Sequence, residues 1–207
     1  NIKPLANGKL QVFSAKKLLI ILIISLGLLL FLDNTILYLV LLYIILNLAY
    51  SYFLKKIPIL DMLIISSGYL LRVESGSTVI DVSTSYLTFC SIFFLSTFII
   101  SIKRKKELEN NILSRNSLLH YNIITLNILI YLSMFASFSS YLFYTLFINS
   151  VLIITLPVVI LVFLRYLYVT RLTTQGEFPI DVVIYDWKLL LLLGLFLLII
   201  LYSFINY

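Results

Sequence analysis

"LKKIPILDMLIISSGYLLRVESG", residues 54–76, is the stretch on which the fold of this chain turns. Most of it is apolar enough to enter a bilayer, yet it holds Asp61, Arg72 and Glu74. A charged side chain at the centre of a membrane helix costs about 3 kcal/mol even on insertion scales. Read as a span, the stretch reverses the sidedness of everything after it. Read as a loop, it leaves that sidedness alone. The charges elsewhere in the chain distinguish the two.

The composition sets the frame. The chain has 207 residues, 62% hydrophobic and 12% charged, with a mean hydropathy of +1.11. A soluble domain is about half apolar and a quarter charged. The pattern is that of an all-α, polytopic transmembrane helix bundle. A single cysteine, Cys90, excludes a disulfide framework, and a single histidine, His120, excludes a multi-histidine metal site.

With about 20 residues per crossing as the yardstick, seven apolar segments stand out, at roughly 17–32, 35–54, 58–73, 83–102, 121–143, 148–168 and 188–206. Seven spans gather fourteen of the fifteen Lys and Arg on one side, including Lys3, Lys9, Lys55, Lys56, the 103–106 run, Arg115, Arg165 and Arg171. The other side receives Asp33, Glu74, Asp81 and, near the end of the third span, Arg72. Deleting the third span spoils this segregation. The positive-inside rule therefore selects seven spans with a cytoplasmic N-terminus. The net charge of +6 follows from orienting loops and implies no nucleic-acid partner. The longer polar loops, 1–16, 103–120 and 169–187, lie on the cytoplasmic side, where chemistry on a water-soluble substrate would sit.

Within the opening stretch, Pro58 suits the first turn of a helix. That puts Asp61 at or just past the first turn, where the helix dipole favours a carboxylate. Asp61, Gly68 and Arg72 share one helical face within about 20°. Asp61 and Arg72 are separated by about 16 Å of rise, too far for an ion pair, so each needs a partner on another helix or in a watery cavity. The simpler alternative is a dipole-stabilised Asp61 and an Arg72 that snorkels outward. "KRKKELE", residues 103–109, offers cations suited to phosphoryl oxygens, or merely a topogenic cluster that attracts anionic lipid. In "LRYLYVTRLTTQGEFPIDVVIYDWK", residues 164–188, Glu177, Asp181 and Asp186 are oxygen donors of the kind Mg²⁺ takes, though a solvated loop looks the same. His120, before the fifth span, suits an interfacial position better than a catalytic one. No nucleotide-binding loop, HExxH or GxSxG pattern is present.

"AYSYFLKKIPILDMLIISSGYLLRVESG", "FIISIKRKKELE" and "LRYLYV…GEFPIDVVIYD", in that order, resemble the UbiA-type prenyltransferase superfamily, and within it most closely the decaprenyl-phosphate phosphoribosyltransferase branch. The resemblance covers nearly the whole chain; "KPLANGKL" is similar to the RPIA-x-G element, with Lys3 where Arg is usual. It implies that Tyr50, Ser51, Lys55 and Asp61 form a polar motif at the cytoplasmic mouth of a cavity. Arg72 matches an arginine along the same helix. Lys103, Arg104 and Glu107 match a basic loop motif, and Arg165, Tyr166 and Asp186 match a final one. It further implies an Mg²⁺-dependent transferase of the cell membrane with its active face cytoplasmic. Phosphoribosyl pyrophosphate would be the donor and a polyprenyl phosphate the acceptor. Asp61 would serve the metal and catalysis, Lys55 catalysis, and the other residues would bind substrate. Metal and cations would stabilise departing pyrophosphate.

The family's first N-D-x-x-D-type motif is absent, and seven of nine spans are present. The expectation is thus a single UbiA-type domain over residues 1–207 lacking its first two helices, inactive as it stands. Prenyl transfer to an aromatic acceptor is a competing expectation within the superfamily, and a non-catalytic membrane protein is one outside it.

Overall fold

A computed structural model describes residues 11–29, 34–110, 121–172 and 178–205. Lys3, Lys9, Asp33, Arg115, His120 and Glu177 lie outside the described residues. Among those described there are helices and turns only. The chain divides into two compact units, residues 1–42 and 43–207. The first holds α1 (Val12–Leu29) and the beginning of α2 (Asn34–Tyr52). The second holds the rest of α2, then α3 (Leu60–Val79), α4 (Tyr86–Glu109), α5 (Ile123–Phe147), α6 (Leu156–Leu172), α7 (Pro179–Tyr185) and α8 (Trp187–Ile205).

α3 and α4 form an antiparallel hairpin whose interface is unusually polar for an apolar chain. Asp61 meets Arg104 at one end, and the Ser66 and Thr97 hydroxyls bond at 2.9 Å midway. At the far end Thr84, just before α4, donates to Glu74 at 2.8 Å. Small hydroxyl residues let two helices approach closely where lipid provides no hydrophobic drive between them. Their hydroxyls also satisfy themselves on the preceding turn, as Ser66 does on the Met62 carbonyl and Ser101 on that of Thr97.

Three boundaries differ from the sequence-based expectation. Pro58 does not open α3: the helix begins at Leu60 after a short 3-10 turn at Leu54–Lys56. Asp61 nevertheless stands in the first turn. The polar run 74–79, expected as a loop, remains helical, and Ser75, Ser77 and Thr78 satisfy their hydroxyls on carbonyls three or four residues earlier. "KRKKELE" is not a loop but the last two turns of α4. It is knitted by pairs at helical spacing, Lys103 and Arg104 with Glu107 and Lys105 and Lys106 with Glu109.

α4 and α5 pack along their lengths, with the Ser137 hydroxyl donating to the Ser91 carbonyl at 3.0 Å. α6, preceded by a 3-10 segment at Ser150–Thr155, joins a core built around Phe98, Ile130, Phe163, Val182 and Leu189. α7 and α8 meet at 92°, with Asp186 at the break. Among the described residues, α2, α4, α5 and the 150–172 segment are long and apolar enough to cross a membrane, and α7–α8 makes a fifth if counted as one bent span. Up to five of the expected seven spans are thus met among the described residues. α3 carries Asp61, Arg72 and Glu74 within 20 residues, and falls below the apolarity of an autonomous span. The molecule is an all-helical protein of membrane type.

Candidate functional site

The sequence requires separate partners for Asp61 and Arg72, and the fold provides them. Asp61 is fully buried. Its Oδ2 accepts from Arg104 Nε at 2.9 Å, and its Oδ1 accepts from the Tyr121 hydroxyl. Arg104, 1% exposed, also donates through Nη1 to Glu107 Oε2 at 2.5 Å. The Tyr121 hydroxyl in turn accepts the Ile59 N–H at 2.6 Å. Burial, and then the hydrogen bond to Asp61, push that phenol above its ordinary range. α3, α4 and Tyr121, just ahead of the α5 N-cap Asn122, are thus tied by one charged network.

Arg72 lies at the other end of α3. Its guanidinium donates to the Tyr43 hydroxyl at 2.5 Å and sits over the Tyr43 and Tyr69 rings, both centroids 5.2 Å away. Cation–π contact suits a cation at low dielectric. The spacing argument therefore holds on both counts: Asp61 and Arg72 do not pair, and each finds its partner on a neighbouring helix.

The other singled-out residues fall into two places. Tyr50, near the end of α2, lies within electrostatic range of Arg104. Lys103, partly exposed, is 4.0 Å from Glu107. Ser51 and Lys55 are exposed on the segment leading into α3, whose first turn carries Asp61. Arg165, Tyr166 and Asp186 form a different group. Arg165 Nε and Nη2 both donate to Asp186 Oδ2, at 3.0 and 2.7 Å, while Oδ1 accepts the Leu189 N–H at 3.0 Å. Asp186 thereby caps the first turn of α8. Tyr166 is buried against an apolar cavity of about 260 Å³ that also touches Phe98, Phe163, Val183, Leu193 and Phe196. Among the described residues its hydroxyl finds no hydrogen-bond partner.

That orphaned hydroxyl makes a direct prediction. An unsatisfied buried polar group costs about 1–3 kcal/mol, so Tyr166→Phe should match or exceed the parent's stability when unfolding of the purified protein is titrated with denaturant. A clear loss would mean that the hydroxyl is normally satisfied by something occupying the cavity.

The surroundings of Asp61 do not fit Mg²⁺ as they stand. Magnesium wants near-octahedral oxygen ligands and keeps several waters. Here both carboxylate oxygens are engaged, one by a guanidinium and one by a phenol, and no solvent reaches them. Among the described residues no group of three His, Cys, Asp or Glu is placed to hold a metal ion. Glu107, the nearest second carboxylate, is separated from Asp61 by the Arg104 guanidinium that bridges them.

Sequence reasoning missed Tyr121. A single tyrosine in "LLHYNIITL" carries no motif, and only the meeting of α5 with the start of α3 gives it a role. The pairing of Asp61 with Arg104 also escaped, because the partners are 43 residues apart. Compared with known proteins, the sequence matches no protein-family model and no curated protein.

Proposed function

We propose that this chain is the membrane domain of a transferase that moves a phosphoribosyl group from phosphoribosyl pyrophosphate to a polyprenyl phosphate, in the UbiA manner. In this reading α1 and α3 join the five apolar segments as membrane-embedded helices, giving seven, with the basic end of the bundle facing the cytoplasm. The observation that carries it is the convergence of Tyr50, Asp61, Lys103, Arg104 and Glu107 at one end of the α2–α4 helices. An apolar cavity in the same unit is large enough for part of a lipid chain.

The residues divide the labour by exposure. Lys55 is exposed and Lys103 partly so, at the end where Asp61 and Arg104 meet, so they meet the donor's phosphates. Asp61, Arg104 and Glu107 are closed on one another and act by position, fixing the end of α4 that presents Lys103. A phosphate oxygen of the lipid attacks the anomeric carbon of the ribose, the bond to pyrophosphate breaks, and the leaving charge is met by lysine ammonium groups. The activity is expected to depend on Mg²⁺ that arrives with the donor's pyrophosphate rather than on a metal held by Asp61, which chelation and add-back would read.

The test is transfer of radiolabelled phosphoribose to a polyprenyl phosphate in proteoliposomes of the full-length protein. Replacing either Lys55 or Lys103 by Ala should lower the rate at least tenfold, about the loss of one charge-assisted contact, with the fold intact by circular dichroism. Unchanged rates would sink the assignment, and transfer only to an aromatic acceptor would replace it with prenyl transfer. A second, non-catalytic reading is favoured by one observation. The Asp61–Arg104–Glu107–Tyr121 network is closed, as a helix-docking lock would be. It predicts that no phosphorylated donor is consumed at all.

A further inference from the structure

The end of α4 has a second face. At 100° per residue, Lys106 stands about 160° around the helix from Arg104. Lys105 and Lys106 accordingly line a partly enclosed cleft of about 130 Å³ with Glu109, Asn127 and Tyr131 of the α4–α5 pair and Arg171 at the end of α6. Among the described residues, three cations from two helices thus face one carboxylate.

The partners of these cations leave the balance unmet. Lys105 and Lys106 divide the two oxygens of Glu109 between them, at 3.7 and 2.9 Å. Arg171 donates to the Tyr131 hydroxyl, a neutral partner. The Lys106 side chain is only 13% exposed and that of Lys105 23%, unlike the solvated lysines that merely orient a loop. Withdrawing these two lysines from water around one shared carboxylate is costly, and a bound anion offsets that cost, with Arg171 exposed at the rim to meet it as well. Arg and Lys donors with amide and phenol neighbours are the donor set that phosphate oxygens take.

We propose that this cleft binds a phosphate-bearing anion, held by Lys105, Lys106 and Arg171. The site is separate from the proposed donor site and does not rest on that reading. The phosphate can belong to an anionic lipid headgroup or to a soluble phosphate, and the chemistry of the contact is the same.

The experiment uses the full chain in phosphatidylcholine nanodiscs, with unfolding followed through Trp187 fluorescence. One arm adds phosphatidylglycerol to the disc; the other adds inorganic phosphate to the buffer. Stabilisation in the first arm assigns a lipid headgroup, in the second a soluble phosphate, and either supports the site. The double variant K106Q/R171Q should raise the half-saturating concentration about tenfold or more, the loss of one or two hydrogen bonds to charged groups. E109Q keeps every cation and removes the competing carboxylate, so it should tighten binding severalfold; it carries the test alone if the double variant does not fold. K16Q/K17Q on α1 removes the same charge elsewhere and should leave binding unchanged. The proposal is overturned if neither anion stabilises the protein, if K16Q/K17Q weakens binding as much as the cleft pair, or if E109Q weakens it.

Discussion

Arg104→Met is expected to destabilise the folded protein by about 3–5 kcal/mol, the usual cost of removing one partner from a buried ion pair. The stoichiometry of the network makes this the worst single change within it. Among the described residues Arg104 is the one cation between Asp61 and Glu107, so its loss leaves a fully buried carboxylate with the Tyr121 hydroxyl alone there and Glu107 with the Lys103 ammonium 4.0 Å away. Asp61→Leu should cost less, because Arg104 keeps Glu107 as counter-charge. The double variant should regain part of the loss, since an apolar pair of similar volume escapes the desolvation of both ions. Equilibrium unfolding in detergent micelles would measure all three, and a coupling energy of about 0.5–3 kcal/mol is expected for groups in direct contact. Strict additivity, or a larger loss for Asp61→Leu, would contradict the geometry.

Phe98→Ala is expected to cost about 3 kcal/mol, the low end for truncating a buried aromatic. Phe98 is 1% exposed. It meets Phe163 edge-on at 5.3 Å and Tyr166 at 5.8 Å between ring centroids, contacts that are lost outright with the ring. The loss falls at the low end for two reasons. In lipid the transfer contribution is small, so the cavity and the missing dispersion carry the effect. The site also borders the cavity of about 260 Å³, so the void enlarges an existing one. The same unfolding measurement decides it: a loss below 1 kcal/mol would mean that the neighbours collapse into the space.

Much of the architecture was legible because apolar runs of membrane length report helices directly. The starts of α4 and α5 fell close to expectation for the same reason. What the sequence hid were helix ends made of polar residues. The 74–79 run and the 103–109 run look like loops by composition, yet both are helical: the first satisfies its hydroxyls on its own carbonyls, and the second is supported by paired charges at three- and four-residue spacing. Helical periodicity separated Asp61 from Arg72, because that needs only local geometry. It could not name Arg104, Tyr121 or Tyr43 as the partners, because those choices depend on which helices pack together. The chemistry of the site was the least legible part. Residue types suited to Mg²⁺ and phosphate are equally suited to ion pairs within the bundle, and for Asp61 the fold uses them as an ion pair.

The polar hairpin of α3 and α4 has a consequence for how the protein is made. The ribosome delivers Asp61 well before Arg104, its partner 43 residues later, and before Tyr121 still further on. When α3 first reaches the insertion machinery, Arg72 already has Tyr43, but Asp61 and Glu74 still lack Arg104 and Thr84. A helix in that position has little reason to leave the translocon by itself. With α3 membrane-embedded as proposed, α3 and α4 should enter the bilayer together, with the residue that makes the fold stable also setting the moment at which it can begin.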